Sequence, residues 1–384
     1  MQLLAAPRGV PVSAVPMLDR ADWCSRSSGP TMPHTMSDNG FPTSNSLSLL
    51  ERLAAAQSAA SDSRKARLLD ALMDDTIGLV TDGTDVVDLK LVAAVLSEIR
   101  RALAVFRPWS EGPAKITAFG SARTDPHDPV YQLAEEFGRR VAEAGFMIIS
   151  GAGPGLMSAV VEGAGAEQSF GVGIRLPFEQ ESSPALLGDP KLIEFKYFFT
   201  RKLFFLKEAA GVVLFPGGFG TMDEGFETLT LVQTGKTAMV PIVCLDVPGG
   251  TYWGEWDRFV REQLLERGLI GDDDLALYRI THDVDEAVAE FTQFYRVFHS
   301  MRKVRDVGIL RLHHDIDDAV LETLALEFGD IFDGKPLRRM APMREEADEP
   351  STLGLVRIRL PFNRRKFGRL RMFVNRLNEL GAAE

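Results

Sequence analysis

Cysteine is nearly missing from this chain. Among 384 residues there are two, Cys24 and Cys244. Cys24 falls in a Pro- and Ser-rich stretch and Cys244 in an apolar, strand-like run. A disulfide between them is not expected, and the reducing cytoplasm is the expected compartment. Long apolar runs are also lacking. No stretch reaches the roughly 18 residues that a membrane-spanning helix needs, so no membrane partner is expected. Positive charge is in deficit: 43 Lys and Arg face 54 Asp and Glu, for a formal net charge of -11. That balance argues against nucleic-acid binding by the molecule as a whole. What is present, 45% hydrophobic and 25% charged residues, suits a globular protein of two or three domains.

Four regions are expected. Residues 1–45 are rich in Pro, Ser, Gly and Met without periodicity and read as a disordered tail, with Met32 and Met36 as alternative starts. Residues 46–110 carry apolar residues at helical spacing, among them Leu68, Leu72, Val92, Val95, Ile99 and Leu103, and read as a helical module. From 111 to 300, short apolar strands alternate with amphipathic helices. Strands are expected at 116–119, 146–149, 171–176, 212–215, 241–245 and 280–281. Helices are expected at 130–144, 155–166, 198–209, 222–234, 253–267 and 284–295. That alternation predicts an α/β fold, a Rossmann-like doubly wound parallel sheet covered on both faces. Residues 305–384 read as a separate small basic α/β unit, with strands at 308–312 and 355–360 and helices at 316–328 and 364–380.

In such sheets ligands bind beyond the C-terminal strand ends, and four turns fall there. The first carries Gly120 and Ser121 and is small enough for a ligand to lie against the backbone. An ordinary βα turn would look the same. The second runs Ser150-Gly151-Ala152-Gly153-Pro154-Gly155. It imitates a dinucleotide fingerprint, but no acidic residue ends the next strand, which carries Arg175 instead. Gly153 and Gly155 are therefore assigned to a mononucleotide-facing turn and not to an NAD site. The third holds Arg201 and Lys202 near a helix start, where paired cations oppose the helix dipole and call for an anion, either a ligand phosphate or a carboxylate. The fourth is Pro216-Gly217-Gly218-Phe219-Gly220-Thr221-Met222-Asp223-Glu224. Glycine N–H groups at a helix N-terminus make a phosphate cradle, and a carboxylate follows one turn later.

The Arg201-Lys202 pair followed by the Pro-Gly-Gly-x-Gly-Thr-x-x-Glu run at 216–224 resembles the double signature of the LOG family. These are nucleoside 5′-monophosphate phosphoribohydrolases long labelled lysine decarboxylases. The stretches at 119–123, 176–180, 233–236 and 252–253 look like the family's longer bacterial branch. The resemblance spans roughly half the chain. It implies hydrolysis of the N-glycosidic bond of AMP or a cytokinin riboside monophosphate, with Arg201 and Glu224 catalytic. It also implies a homodimer or higher homo-oligomer. Substrate would lie on Gly120, Ser121, Gly153, Gly155, Lys202, Gly217, Gly218, Gly220 and Thr221, with no cofactor and no metal. The run Ser158-Ala159-Val160-Val161 departs from the family, which often carries a Glu-Ala-Ala-Asn-like run there. A nucleotide-binding or sensor protein using the same cradle without turnover is the alternative.

Two further clusters have plain readings. His313 and His314, beside Asp315, Asp317 and Asp318, invite a metal. Adjacent histidines on a strand point to opposite faces, however, and the acids suit a helix start. Arg357, Arg359, Arg364, Arg365, Lys366, Arg369, Arg371 and Arg376 make the C-terminal part basic. They form either a solvated face or contact to the acidic body, or else an anion or nucleotide effector site or a weak RNA contact.

Overall fold

The computed structural model describes residues 51, 55–56, 58, 63–175, 183–305 and 307–382. The expected tail at 1–45 lies outside them. The chain divides into two units after Thr84. In the first, a single long helix, α1 (Ser63–Thr81), is described. The second, Asp85–Glu384, begins with α2 (Val86–Phe106). The Asp85 carboxylate accepts from the Val87 and Asp88 N–H groups at 2.8 and 2.9 Å and starts that helix. The helical module expected at 46–110 is therefore split. Helix α2 belongs with the α/β unit because Glu98, Ala102 and Phe106 are buried there. The Phe106 ring stacks on Phe170 and Phe204, with centroids 4.6 and 6.0 Å apart.

Seven strands form the main sheet: β1 (Lys115–Phe119), β2 (Met147–Ser150), β3 (Ser169–Ile174), β4 (Leu192–Phe195), β5 (Gly211–Leu214), β6 (Ile242–Leu245) and β7 (Arg279–Thr281). Their order is β4-β3-β2-β1-β5-β6-β7 and every pair is parallel. Each residue of β1, β2, β5 and β6 is buried. Coverage on both faces is why these strands read as continuous apolar runs. Strand β4 was not expected. It is an edge strand whose residues alternate between half-buried and buried, and its Leu-Ile-Glu-Phe run is too short to announce itself.

The covering helices are α3 (Pro129–Glu143), α4 (Leu156–Ala164), α5 (Phe198–Lys207), α6 (Phe219–Gln233), α7 (Tyr252–Phe259) and α8 (Val284–Phe294). Helices α3, α4 and α8 bury Phe137, Val160 and Phe291 with Ile116, Ala118 and Val213. Helices α2, α5, α6 and α7 bury Phe106, Phe204, Val232 and Trp253 against Phe119, Val212 and Leu214. Neighbouring residues of one strand thus serve opposite cores. The helix expected at 253–267 is shorter. After α7 the chain widens into a π-helical turn, Val260–Leu265.

A second sheet, β8 (Phe298–Val304), β9 (Val307–Leu312), β10 (Arg338–Arg339) and β11 (Val356–Leu360), is antiparallel in the order β10-β11-β9-β8. Helices α9 (Asp318–Glu327) and α10 (Phe367–Leu380) complete it. A boundary at 305 was expected, but that position is the turn of the β8–β9 hairpin. One continuous core runs from Met147 and Leu214 through Phe294 and Phe298 to Phe373 and Leu377. Residues 305–384 are therefore not a separate body. Strand β8 was hidden because its middle residues are only half covered and mostly polar.

The basic C-terminal residues are largely neutralised within the unit. Lys366 and Arg369 pair with Asp330, Arg376 with Glu327 and Glu379, and Arg371 with Glu290. Arg357 and Arg311 converge on Glu346 at 3.1 and 2.7 Å, with Glu346 and Arg357 fully buried. Only Arg371–Glu290 is contact to the acidic body; the other partners lie within 305–384 itself, and together these pairs remove most of the expected anion site. His313 packs edge-on against His299 at 5.1 Å, and the His314 ring meets the Gly381 carbonyl at 2.9 Å. Among the described residues no three His, Cys, Asp or Glu side chains are placed to share a metal ion. Among them, too, no helix is long and apolar enough to cross a membrane.

Truncating Glu346 leaves the buried Arg357 without its carboxylate and Arg311 with only the more exposed Glu349. Glu346→Ala is expected to lower unfolding stability by about 3–5 kcal/mol, read from the denaturant midpoint at constant slope. A loss inside the scatter of surface substitutions would contradict this account of the second sheet.

Candidate active site

The winding direction reverses between β1 and β5. From β1 the chain passes to β2 on one side, and from β5 to β6 on the other. The two connecting loops part, and a cleft of about 800 Å³ opens between them. This is where doubly wound sheets bind ligands. The loops are stitched together beneath the cleft. Ser121 N–H donates to Pro216 O at 3.2 Å, and Leu156 N–H donates to Ser121 O at 2.9 Å.

The loop after β5 becomes the start of α6. Gly218 sits at the N-cap and no side chain caps the helix. The N–H groups of Phe219, Gly220 and Thr221 thus begin a helix that faces the cleft, with the positive end of the dipole behind them. Gly217 is required for packing, since a Cβ there would lie 2.1 Å from Thr221 Oγ1. A Cβ at Gly218 or Gly220 would meet nothing within 4 Å. At those two positions the backbone looks into open space where an anion fits. The turn is braced from outside. Tyr252 on α7 donates its hydroxyl to Gly217 O at 2.5 Å, and Asp246 at the end of β6 accepts from Tyr252 N–H at 3.1 Å.

Arg201 projects from the first turn of α5 to the cleft wall. Its Nε donates to Val172 O at 2.7 Å, its Nη2 donates to Gly151 O at 3.0 Å, and its guanidinium lies over the Phe205 ring at 4.9 Å. The Val172 carbonyl within β3, the Gly151 carbonyl just after β2 and an aromatic face therefore hold its plane. Glu224, one turn into α6, lines the same cleft and is 8% exposed. Burial pushes its carboxyl up to about 7; the nearby Lys202 ammonium opposes this, and Glu227 adds to it. Desolvation wins because the ammonium is 3.6 Å from Glu224 but 2.7 Å from both Asp223 and Glu227, which share its charge.

Of the residues singled out from the sequence, Arg201, Glu224, Gly120, Ser121, Gly153, Gly217, Gly218, Gly220 and Thr221 stand together on the cleft wall. Lys202 and Gly155 do not. Lys202 points to the acidic side of α6, where Asp223, Glu224 and Glu227 satisfy the anion that its position calls for. The carboxylate alternative therefore holds for Lys202, and its assignment to substrate is corrected. Gly155 has φ +66°, and a Cβ there would lie 2.4 Å from Ser121 O. It serves the contact between loops. At the departure from the family run, Val161 is wholly buried in the core, while Ser158 bonds Ser183 at 3.0 Å. Met157, Glu194, Phe198 and Phe205 also line the cleft and were not assigned. Phe205 lies one helical turn after Arg201, a spacing that could have signalled it, whereas Glu194 rides on the unexpected β4.

A carboxyl whose pKa is raised on folding stabilises the native state below its unfolded value of about 4.5. That contribution is lost as pH rises through about 7. Glu224→Gln removes the ionisation. The variant is expected to gain on the wild type as pH climbs from 4.5 to 8, by up to about 3 kcal/mol. Denaturant midpoints of the two proteins across that range provide the check. A constant difference would mean that Glu224 is not held in a desolvated site.

Residues 157–291 match the family described as "Possible lysine decarboxylase". No curated protein matches the chain. Similar solved structures include TM1055, a structural-genomics target, at 22% identity and TM-score 0.34, covering 47% of this chain and 99% of that one. The molybdenum cofactor carrier protein of Chlamydomonas reinhardtii shows 22% identity and TM-score 0.31, with 47% and 97% covered. DNA processing protein A of Helicobacter pylori shows 15% identity and TM-score 0.33, with 46% and 80% covered. The matched family segment begins in α4, ends in α8, and contains Arg201, Lys202 and the glycine turn through Glu224. Within this chain, residues 157–291 are accordingly a domain of the LOG family, to which the older decarboxylase description is attached.

Proposed function

We propose that the cleft hydrolyses the N-glycosidic bond of a nucleoside 5′-monophosphate, AMP or a cytokinin riboside monophosphate, giving free base and ribose 5-phosphate. The observation that carries this reading is the position of Glu224. A buried carboxyl shares one cavity with a fixed guanidinium and an uncapped helix N-terminus. The 5′-phosphate rests on the N–H groups at 218–221, with the Thr221 hydroxyl beside it. As the bond to the base stretches, positive charge grows on the ribose. The Glu224 carboxylate stabilises that charge and takes a proton from the attacking water, whose oxygen bonds to C1′, while the base leaves with the electron pair of the broken bond and takes up a proton from solvent. Arg201 holds its charge at the opposite wall and orients the sugar phosphate or the departing base.

The decarboxylase description suits these residues poorly. Pyridoxal phosphate needs a lysine that can shed its proton and form a Schiff base. Burial works to lower the Lys202 pKa, but its bonds to Asp223 and Glu227 prevail and hold it above the ordinary lysine value. An amine so engaged is neither neutral nor available.

A homo-oligomer also belongs to this reading. Phe198, Phe199, Leu203 and Phe219 are exposed beside the cleft, Phe219 at 96%. Such a patch suits the face of a second copy. Light scattering is expected to give at least a dimer, and Phe219→Asp to shift it toward monomer.

The decisive experiment incubates the full chain with a panel of nucleoside monophosphates and looks for free base by chromatography. Glu224→Gln is expected to cut release by roughly 100-fold or more while AMP binding persists. Arg201→Ala is expected to fail as well. Because the carboxylate is the working form, the rate should rise with pH through about 7. Binding of AMP with no base released from any nucleotide would leave the cradle as a sensor.

A further inference from the structure

Helix α5 carries Arg201 but has no capping group of its own. Tyr197 occupies the N-cap position and makes no side-chain bond to the helix. Its entry is held instead by Glu98 in the middle of α2, far upstream of the LOG segment. Glu98 is 3% exposed. Its Oε1 accepts from Lys196 N–H at 2.7 Å, and its Oε2 accepts from the Thr200 hydroxyl at 2.5 Å. One carboxylate thus grips the backbone just before the helix and the side chain at its third residue. Its charge lies at the positive end of the helix dipole. Arg201 is the next residue after Thr200, and its own N–H closes the first helical bond to Tyr197 O at 3.3 Å. The grip therefore sets the depth and rotation of the turn from which the guanidinium reaches Val172 O and Gly151 O.

Burying a carboxylate costs several kcal/mol unless it is fully engaged, so its presence under a surface helix calls for an account. Packing alone does not demand it. Ala102 and Phe106 on the same helix already anchor α2 to the core. We propose that Glu98 is a positioning residue for the cleft: reaching in from outside the LOG segment, it ties down the entry and first turn of the Arg201 helix and so fixes the guanidinium against the Val172 and Gly151 carbonyls. This rests on the reading of Arg201 as a nucleotide-handling group.

The test is a double-mutant cycle in the full chain with Glu98→Ala and Arg201→Lys, read as kcat and KM for AMP and as AMP dissociation constant. Displacing a catalytic group by about 1 Å can cost 100-fold in rate. Glu98→Ala is expected to lower kcat per folded molecule by about 10- to 100-fold. In the Arg201→Lys background it should do little, because residues acting through one another are not additive. Glu98→Gln, which keeps an acceptor for Lys196 N–H, should recover most of the loss. Thr200→Val removes only one contact and should fall between. Equal losses from Glu98→Ala in both backgrounds, or a loss explained wholly by the folded fraction, would overturn the proposal. If the wild type releases no base, the hydrolase reading fails by itself. The same cycle is then read in AMP affinity, where additivity would again sink the role of Glu98.

Discussion

Strands β1 and β5 are neighbours whose chains depart in opposite directions, and the polar groups of the cleft are arranged around the gap this leaves. The reversal keeps the first turn of α6 from being covered by its own strand's crossover. It also lets β2 and β3 present carbonyls of Gly151 and Val172 from the other side. Arg201 bridges to that side, while Glu224 and the glycine turn belong to the first. A cation and a carboxylate line one cavity from different helices: carbonyls of Gly151 and Val172 hold the guanidinium, and the carboxyl sits in dry surroundings that raise its pKa although the guanidinium works to lower it.

Lys202 shows how the acidic wall is controlled. Three carboxyl groups, Asp223, Glu224 and Glu227, crowd one face of α6. Left alone they would repel one another. The ammonium sits close to the outer two and farther from Glu224. The outer pair shares that single positive charge, and the inner carboxyl stays under the influence of its dry surroundings. The signature's adjacent Arg and Lys consequently do different work, one facing the cleft and the other tuning the helix beside it.

Much of this was legible in the sequence. Five strands of the sheet, β1, β2, β3, β5 and β6, declared themselves because burial on both faces removes polar residues from a strand. The glycine turn declared itself by its run of small residues: Gly217 has no room for a side chain, and Gly218 and Gly220 face open space. Strands with one open face, β4 and β8, were hidden, since their alternation is too short to separate from a loop. The role of Lys202 was left open by local reasoning, which could ask for an anion but not say whether it came from α6 or from a ligand. Glu98 lay beyond reach altogether. Nothing in the run around it reveals that its partners are at 196 and 200, a relation that only the packing of α2 on α5 creates. The basic C-terminal stretch misled for the same reason, its carboxylate partners being distant in sequence and adjacent in space.

The unbroken apolar core between the two sheets bears on how the protein can be cut. Excision at 157–291 would discard β1 and β2, the strands against which β3 and β5 pair. It would also remove the helix that seats Arg201. Ending the chain near 300 would strip α10 from Phe294 and Phe298 and leave a greasy flank open to water. The family segment is thus a stretch of shared ancestry and not an autonomous folding module. Its inheritance could travel only with the neighbours on which it leans.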